Sequence, residues 1–207
     1  MRVRAWMIAV AAAALAGCAV LGNDRPTPTY YVLRDAAAVT PATQRNPRVL
    51  LVAGTTTSAF YDTQSMVFSR TPGTRGYYQF AAWTDRPGKR FEILLLARLE
   101  RRAAFAQVGA MTAGIRGDLL LATNLVEFFH DDHQAPGHVR IEMTAELTDL
   151  ASRRLVARRT FLQEAPVTAD DAAAAVQAFD TATARLLDEL TAWVETTAAA
   201  LPPRPAN

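Results

Sequence analysis

One cysteine and three histidines are all this 207-residue chain offers of the commonest soft metal ligands and nucleophiles. A single thiol cannot close an internal disulfide, so Cys18 is left for reaction, metal binding or covalent attachment. There is no Gly-x-Ser-x-Gly elbow,. The stretch Gly54 to Ser58 lacks the second glycine and the lysine of a phosphate-binding loop,. Charge of one sign is also scarce: the net charge is +2, and Arg2 and Arg4 alone account for it. Residues 18–207 therefore carry no polybasic footprint, which argues against a nucleic-acid partner. Apolar runs such as Ile93 to Ala97 are far too short to span a bilayer,.

What the sequence does contain begins at its start. Arg2 and Arg4 precede the apolar stretch Trp6 to Leu15, and Ala16 and Gly17 follow. Positive charge, apolar core and small residues in that order form a secretory signal, too short for a stable membrane anchor. Leu15, Ala16, Gly17 and Cys18 match the bacterial lipobox. On that match, residues 1–17 are a signal peptide and Cys18 receives a diacylglyceryl thioether, becomes the N-terminus and is N-acylated. Two or three acyl chains suffice for stable anchoring, since each buried methylene contributes about 0.8 kcal/mol. Ala19 in place of Asp after the cysteine points to the outer membrane by the lipoprotein sorting rule. Residues 18–29 form the acylated cysteine and a tether with Gly22, Pro26 and Pro28. Its reach, fully extended, is about 35 Å.

The remainder reads as one α+β domain over residues 30–198, with residues 199–207 a disordered tail. Tyr30 to Arg34 and the β-branched run Val49 to Ala53 predict strands, as do segments around Met66 to Ser69 and Tyr77 to Ala81. From Arg90 to Phe105 the period changes. Phe91, Leu95, Leu99 and Ala103 recur every four residues, with Glu92, Arg98, Arg101 and Arg102 off the stripe, an amphipathic helix,. Val139, Ile141, Met143, Ala145 and Leu147 alternate with polar residues in strict period two,. With Leu119 to Phe129 before it and Leu155 to Leu162 after it, this strand predicts an antiparallel meander. A second helix, capped by Thr168, carries the stripe Val176, Phe179, Thr183, Leu186, Leu190 and Trp193,. The expected architecture is a single mixed, mostly antiparallel sheet with two main helices packed on one face.

Candidate chemistry is confined to one segment. His130, Asp131, Asp132, His133 and His138 include every histidine in the chain. His130, Asp132, His133 and His138 could hold a borderline metal. The same residue types are ordinary in a solvated hairpin loop, which is the expected reading. No catalytic or cofactor-binding residue is otherwise indicated. Phe60, Tyr61, Phe68, Tyr77, Tyr78, Phe80 and Trp83 form an aromatic cluster, read mostly as sheet core. Tyr77 is the member expected to be exposed, because alternation puts it with Gln79 and opposite Tyr78 and Phe80.

These aromatics carry a family resemblance. Tyr31 and Leu33, then Tyr61, Asp62, Met66, Val67, Phe68 and Arg70, then Tyr78, Phe80 and Trp83, follow the lipobox in order. The pattern, covering about residues 29–197, resembles the ABC-type transport auxiliary lipoproteins of MCE-domain lipid transport systems. Thr84, Asp85, Arg86 and Pro87 depart slightly from the acidic-Pro segment of that family. The resemblance implies a small mixed α/β domain and a non-catalytic role beside a transporter moving lipids between the two membranes. It also implies an MCE-domain periplasmic partner and leaves a homo-oligomer open. Tyr77, Arg70 and Trp83 are the candidate partner-binding residues. No cofactor is expected beyond the lipid on Cys18. The alternatives are a periplasmic metal enzyme using the His130, His133 and His138 loop, or a lipid carrier with an enclosed apolar cavity.

Overall fold

The structure is a computed structural model that describes residues 27–202. The signal segment 1–17, Cys18, most of the tether and residues 203–207 of the tail lie outside the described residues. Among the described residues nine strands and two α-helices follow in the order β1 (Thr29–Tyr31), β2 (Asn46–Val52), β3 (Thr56–Thr57), β4 (Ser65–Ser69), β5 (Gly76–Trp83), α1 (Pro87–Arg102), β6 (Phe105–Ala110), β7 (Leu119–Asp131), β8 (His138–Asp149), β9 (Arg154–Pro166) and α2 (Ala172–Ala199).

All nine strands join one mixed sheet, and β7 is its spine. Along one side β7 pairs antiparallel with β8 from Leu119 opposite Asp149 to Asp131 opposite His138. β9 continues the meander on β8, also antiparallel. Along its other side, β7 receives three short parallel partners in succession: β2 at Leu119 to Leu121, β3 at Asn124 to Leu125, and β4 at His130 to Asp131. β5 lies antiparallel on β4, β1 parallel on β5, and β6 parallel on β2. The two longest joins, β7 with β8 and β8 with β9, are antiparallel. The fold is the expected α+β domain with a mixed sheet.

Alternation decides which side of the sheet is dry. Val139, Ile141, Ala145 and Leu147 are fully buried and Met143 nearly so, while their β8 neighbours are half-buried. On β7 the inward residues are Leu119, Leu121, Thr123 and Leu125. A register shift between Leu125 and Glu127 then resets the phase, so that Phe128 and His130 take the inward side,. Both helices cover this side. Phe91 of α1 and Phe179 of α2 meet over Phe128, with ring centroids 5.8 and 4.4 Å from it. Trp83 of β5 packs edge-on to Phe179 at 5.3 Å. Edge-to-face pairs of this kind add about 0.5–1.5 kcal/mol beyond burial.

Local chemistry sets the helix ends. Pro87 starts α1, where a missing N–H costs nothing, and Ala103 stops it in the left-handed region at φ 51°,. That stop frees Phe105 to Ala110 to pair as β6, a strand the helical stripe masks. The N-cap of α2 is Asp171, whose carboxylate accepts from the Ala174 N–H at 2.7 Å, rather than Thr168,. The predicted stripe of α2 is buried apart from the partly covered Trp193, and the flanking Leu187 and Val194 are fully buried too. Among the described residues no helix is long and apolar enough to cross a membrane.

Two expectations fail. Arg98, off the apolar stripe of α1, is buried, because Asp35 and Asp188 pair with it. The aromatic cluster is not mostly core. Tyr61 and Trp83 are buried, but Phe60, Tyr77 and Phe80 are exposed. Tyr77 is exposed as alternation predicts, whereas the shifted register between β4 and β5, with Ser65 opposite Ala82 but Val67 opposite Tyr77, breaks the simple alternation that would have hidden Phe80,.

Candidate functional site

The histidine segment is not one loop. His130 and Asp131 end β7 and His138 begins β8, leaving only residues 132–137 as the connection. His130 is fully buried on the helix-covered side. Its Nε2 lies 2.7 Å from the carbonyl oxygen of Pro136, which can only accept, so Nε2 carries the proton,. Nδ1 is then the acceptor for the Tyr78 hydroxyl at 2.6 Å. Burial, reinforced by the charge of Asp132 and Asp170, pushes the Tyr78 phenol up to about 12,. Tyr78 therefore stays a neutral donor at any physiological pH.

The other two histidines face elsewhere. The His133 imidazole lies 3.3 Å from the Arg70 carbonyl oxygen, and His138 lies 3.7 Å from Glu164. Asp132 pairs with Arg70 at 3.0 Å, with its second oxygen buried and unpartnered among the described residues. Among those residues no group of three or more His, Cys, Asp or Glu side chains is arranged to hold a metal ion. Strand burial occupies both nitrogens of His130, so the three histidines do not converge. The segment acts as a hydrogen-bonded clasp over the sheet end.

The predicted partner residues are not brought together. Trp83 is 1% exposed, in the core between Phe128 and Phe179, and cannot meet a partner. Its burial follows from its place on the helix-covered side of β5. Arg70 is largely exposed and lies 4.8 Å over the Phe68 ring, beside the histidine clasp. Tyr77 is 46% exposed and stacks on Phe60, with centroids 4.9 Å apart and planes 15° apart.

Phe60 and Tyr77 cap a small second cluster on the side of the sheet opposite the helices. Phe129 points there, since Phe128 and His130 point inward. The Arg75 guanidinium lies 3.6 Å over the Phe129 ring, donates to the Tyr61 hydroxyl at 3.2 Å and to Glu127 at 3.1 Å. Glu127 also accepts from Arg140 at 2.6 Å. Tyr61 meets Phe60 edge-on at 5.6 Å. Arg75, neutralised and stacked, thus roofs the outer face, and the Phe60–Tyr77 pair projects from it as a flat aromatic step. Tyr77 was legible from alternation. Phe60 and Arg75 were not, because their role depends on the chain between β3 and β5 folding back over Phe129.

The described residues thus form a mixed sheet roofed by two helices on one side, with an exposed aromatic step on the other. The chain belongs to the ABC-type transport auxiliary lipoprotein component family, whose model matches residues 31–191. It is similar to a crystal structure of a DUF330 protein from Xanthomonas campestris, with 26% identity and TM-score 0.74, covering 83% of this chain and 97% of that one. An uncharacterized protein (15% identity, TM-score 0.64, 81% and 99% covered) and a hypothetical protein from Chlamydia trachomatis (8%, 0.55, 75% and 99%) share the fold. No curated protein matches the chain.

Proposed function

We propose that this lipoprotein is a non-catalytic accessory subunit that docks an MCE-type transporter's periplasmic component at the outer membrane. The observation that carries the reading is the family match over residues 31–191, which assigns the chain to auxiliary lipoproteins of ABC-type transport. The lipobox at Cys18 and the sorting residue Ala19 support the outer membrane as its location. The Phe60–Tyr77 step supplies a rigid aromatic anchor of the kind that dominates protein interfaces,.

Its work is positioning. Acyl chains on Cys18 fix the membrane, the tether sets the reach, and the folded domain makes the contact. Holding one partner at the membrane turns a weak encounter into an effectively intramolecular one by raising local concentration. Against the metal-enzyme alternative speaks that the three histidines serve separate partners. For the lipid-carrier alternative, the groove of about 670 Å³ beside Trp193 and Leu201, between α2 and the edge strand β9, is open to the surface rather than enclosed.

The test is crosslinking in cells, solubilisation of envelopes in detergent, pull-down of the tagged chain and mass spectrometry. An MCE-domain protein recovered with wild type and depleted with Cys18→Ala is the expected result. Recovery of no such protein from cells that express one would sink the reading.

A further inference from the structure

β9 is a long sheet edge on which no strand of the described chain lies. It pairs only with β8, while its other side meets no strand. Edges of this kind template pairing with another chain unless they are short, bulged or charged in a repelling pattern. Between Ala157 and Pro166 the register with β8 is continuous, the one irregularity falling at Val156 between Leu147–Ala157 and Thr148–Leu155. Pro166 lacks the N–H that a ladder needs. The flat, pairable stretch is therefore residues 157–165, and its midpoint is Phe161.

We propose that two copies of this chain pair through β9, antiparallel about a two-fold axis at Phe161. The sequence of the edge is self-complementary in that register alone. Arg158 then faces Glu164 of the second copy, and Glu164 faces its Arg158, both on the outer side of the sheet. Thr160 faces Leu162, which is 45% exposed in the single chain and would be covered. On the other side Arg159 faces Gln163 of the second copy, the residue that donates to Glu189 at 2.8 Å. Shifting the axis to Arg159 or Arg158 sets that arginine against its own copy. Shifting it to Thr160 or Leu162 removes the Arg158–Glu164 pairs, and parallel in-register pairing stacks every arginine on itself. Opposed charges across strands stabilise the pairing, and like charges directly opposite destabilise it.

The neighbouring charges extend the pattern. Arg158 already bonds Glu146 at 3.3 Å and Glu164 bonds Arg140 at 2.9 Å. The dimer would join these into an alternating row, Glu146, Arg158, then Glu164 and Arg140 of the second copy. One existing contact must yield or share, the 3.4 Å bond from Arg185 to the Glu164 carbonyl oxygen. A two-fold interface presents one patch to itself, and a strand with opposite charges equidistant from its midpoint meets that requirement.

The test uses the full-length protein in mild detergent. R158C/E164C should give a covalent dimer under oxidation, because the paired Cα atoms fall within disulfide reach, whereas R158C or E164C alone should not. By light scattering, R158E should raise the dimer dissociation constant at least tenfold, and R158E/E164R should restore it. The recovery also shows that loss in the single variant is not misfolding. Wild type that stays monomeric, an assembly indifferent to R158E, or single-cysteine variants that crosslink as readily as the pair would each overturn the proposal.

Discussion

Arg98 of α1 and Asp35 of the segment after β1 form an ion pair with both side chains almost wholly buried, at 1% and 3% exposure. Arg98 Nε meets Asp35 at 2.7 Å, Arg101 reaches the same carboxylate at 2.9 Å, and Asp188 of α2 takes the other side of the Arg98 guanidinium. One arginine thus holds the entering chain, α1 and α2 together. Removing a single partner from a buried pair leaves an uncompensated charge, at a cost of about 3–5 kcal/mol. Asp35→Ala should lower the urea midpoint strongly. Arg98→Met with Asp35→Asn should recover part of the loss, because it removes the charges together. A single variant within about 0.5 kcal/mol of wild type would contradict the reading.

Burial of the Tyr78 phenol makes stability fall at alkaline pH. Folding raises the Tyr78 phenol from its ordinary 10 to about 12, so the folded state holds that proton more tightly. The contribution is complete below pH 10 and is lost as pH rises from 10 to about 12. Tyr78 is only partly buried, so solvent screening trims its size. Tyr78→Phe should cost about 1–2 kcal/mol at neutral pH by orphaning the His130 acceptor. It should also flatten the decline between pH 10 and 12, as measured by urea unfolding at stepped pH.

If the aromatic step is the docking anchor, truncating it should weaken partner recovery without loosening the fold. Phe60 and Tyr77 are 37% and 46% exposed. Interface aromatics at hot spots cost at least about 2 kcal/mol on truncation. Tyr77→Ser with Phe60→Ser should therefore reduce crosslinked transporter at least tenfold, with the melting temperature shifted by only a few degrees. Undiminished crosslinking would move the docking surface elsewhere.

Gly137 closes the clasp in a conformation that L-residues resist. Its φ is +69°, and an added Cβ would lie 1.9 Å from the Asp131 carbonyl oxygen. Gly137→Ala should destabilise by at least about 2 kcal/mol, since both the backbone and the strand end must move. Amide exchange should locate the loss at His130 to His138. A neutral substitution would show that the connection relaxes freely.

Where pattern and environment agree over many residues, the structure was readable from sequence. The period-two run of β8 buries the residues it predicts, and the three-four stripe of α2 does so apart from Trp193. Pairing between distant segments was not readable. Nothing local in the Thr56–Thr57 pair or in Phe105 to Ala110 announces a partner, since both depend on parallel neighbours far along the chain. Arg98 reads as a surface residue until Asp35 and Asp188, 63 and 90 positions away, are set beside it. His130 misleads for a related reason: one bulge in β7 turns it inward, and no spacing rule records a bulge. For the outer face, alternation found Tyr77 but not the Arg75 roof beneath it.

The way the chain enters the domain also has mechanical meaning. A pull on the N-terminal side of Thr29 loads β1 first, three residues laid along β5 at the margin of the sheet. β1 can peel away with little disturbance behind it. The force then arrives at Arg34, whose N–H bonds Asp180 at 2.8 Å, and at the Asp35–Arg98 pair, where the chain is fastened to both helices. The domain is thus built with a short sacrificial lead and a firm mooring behind it, so that tugging from a membrane would strain the fitting before the hull.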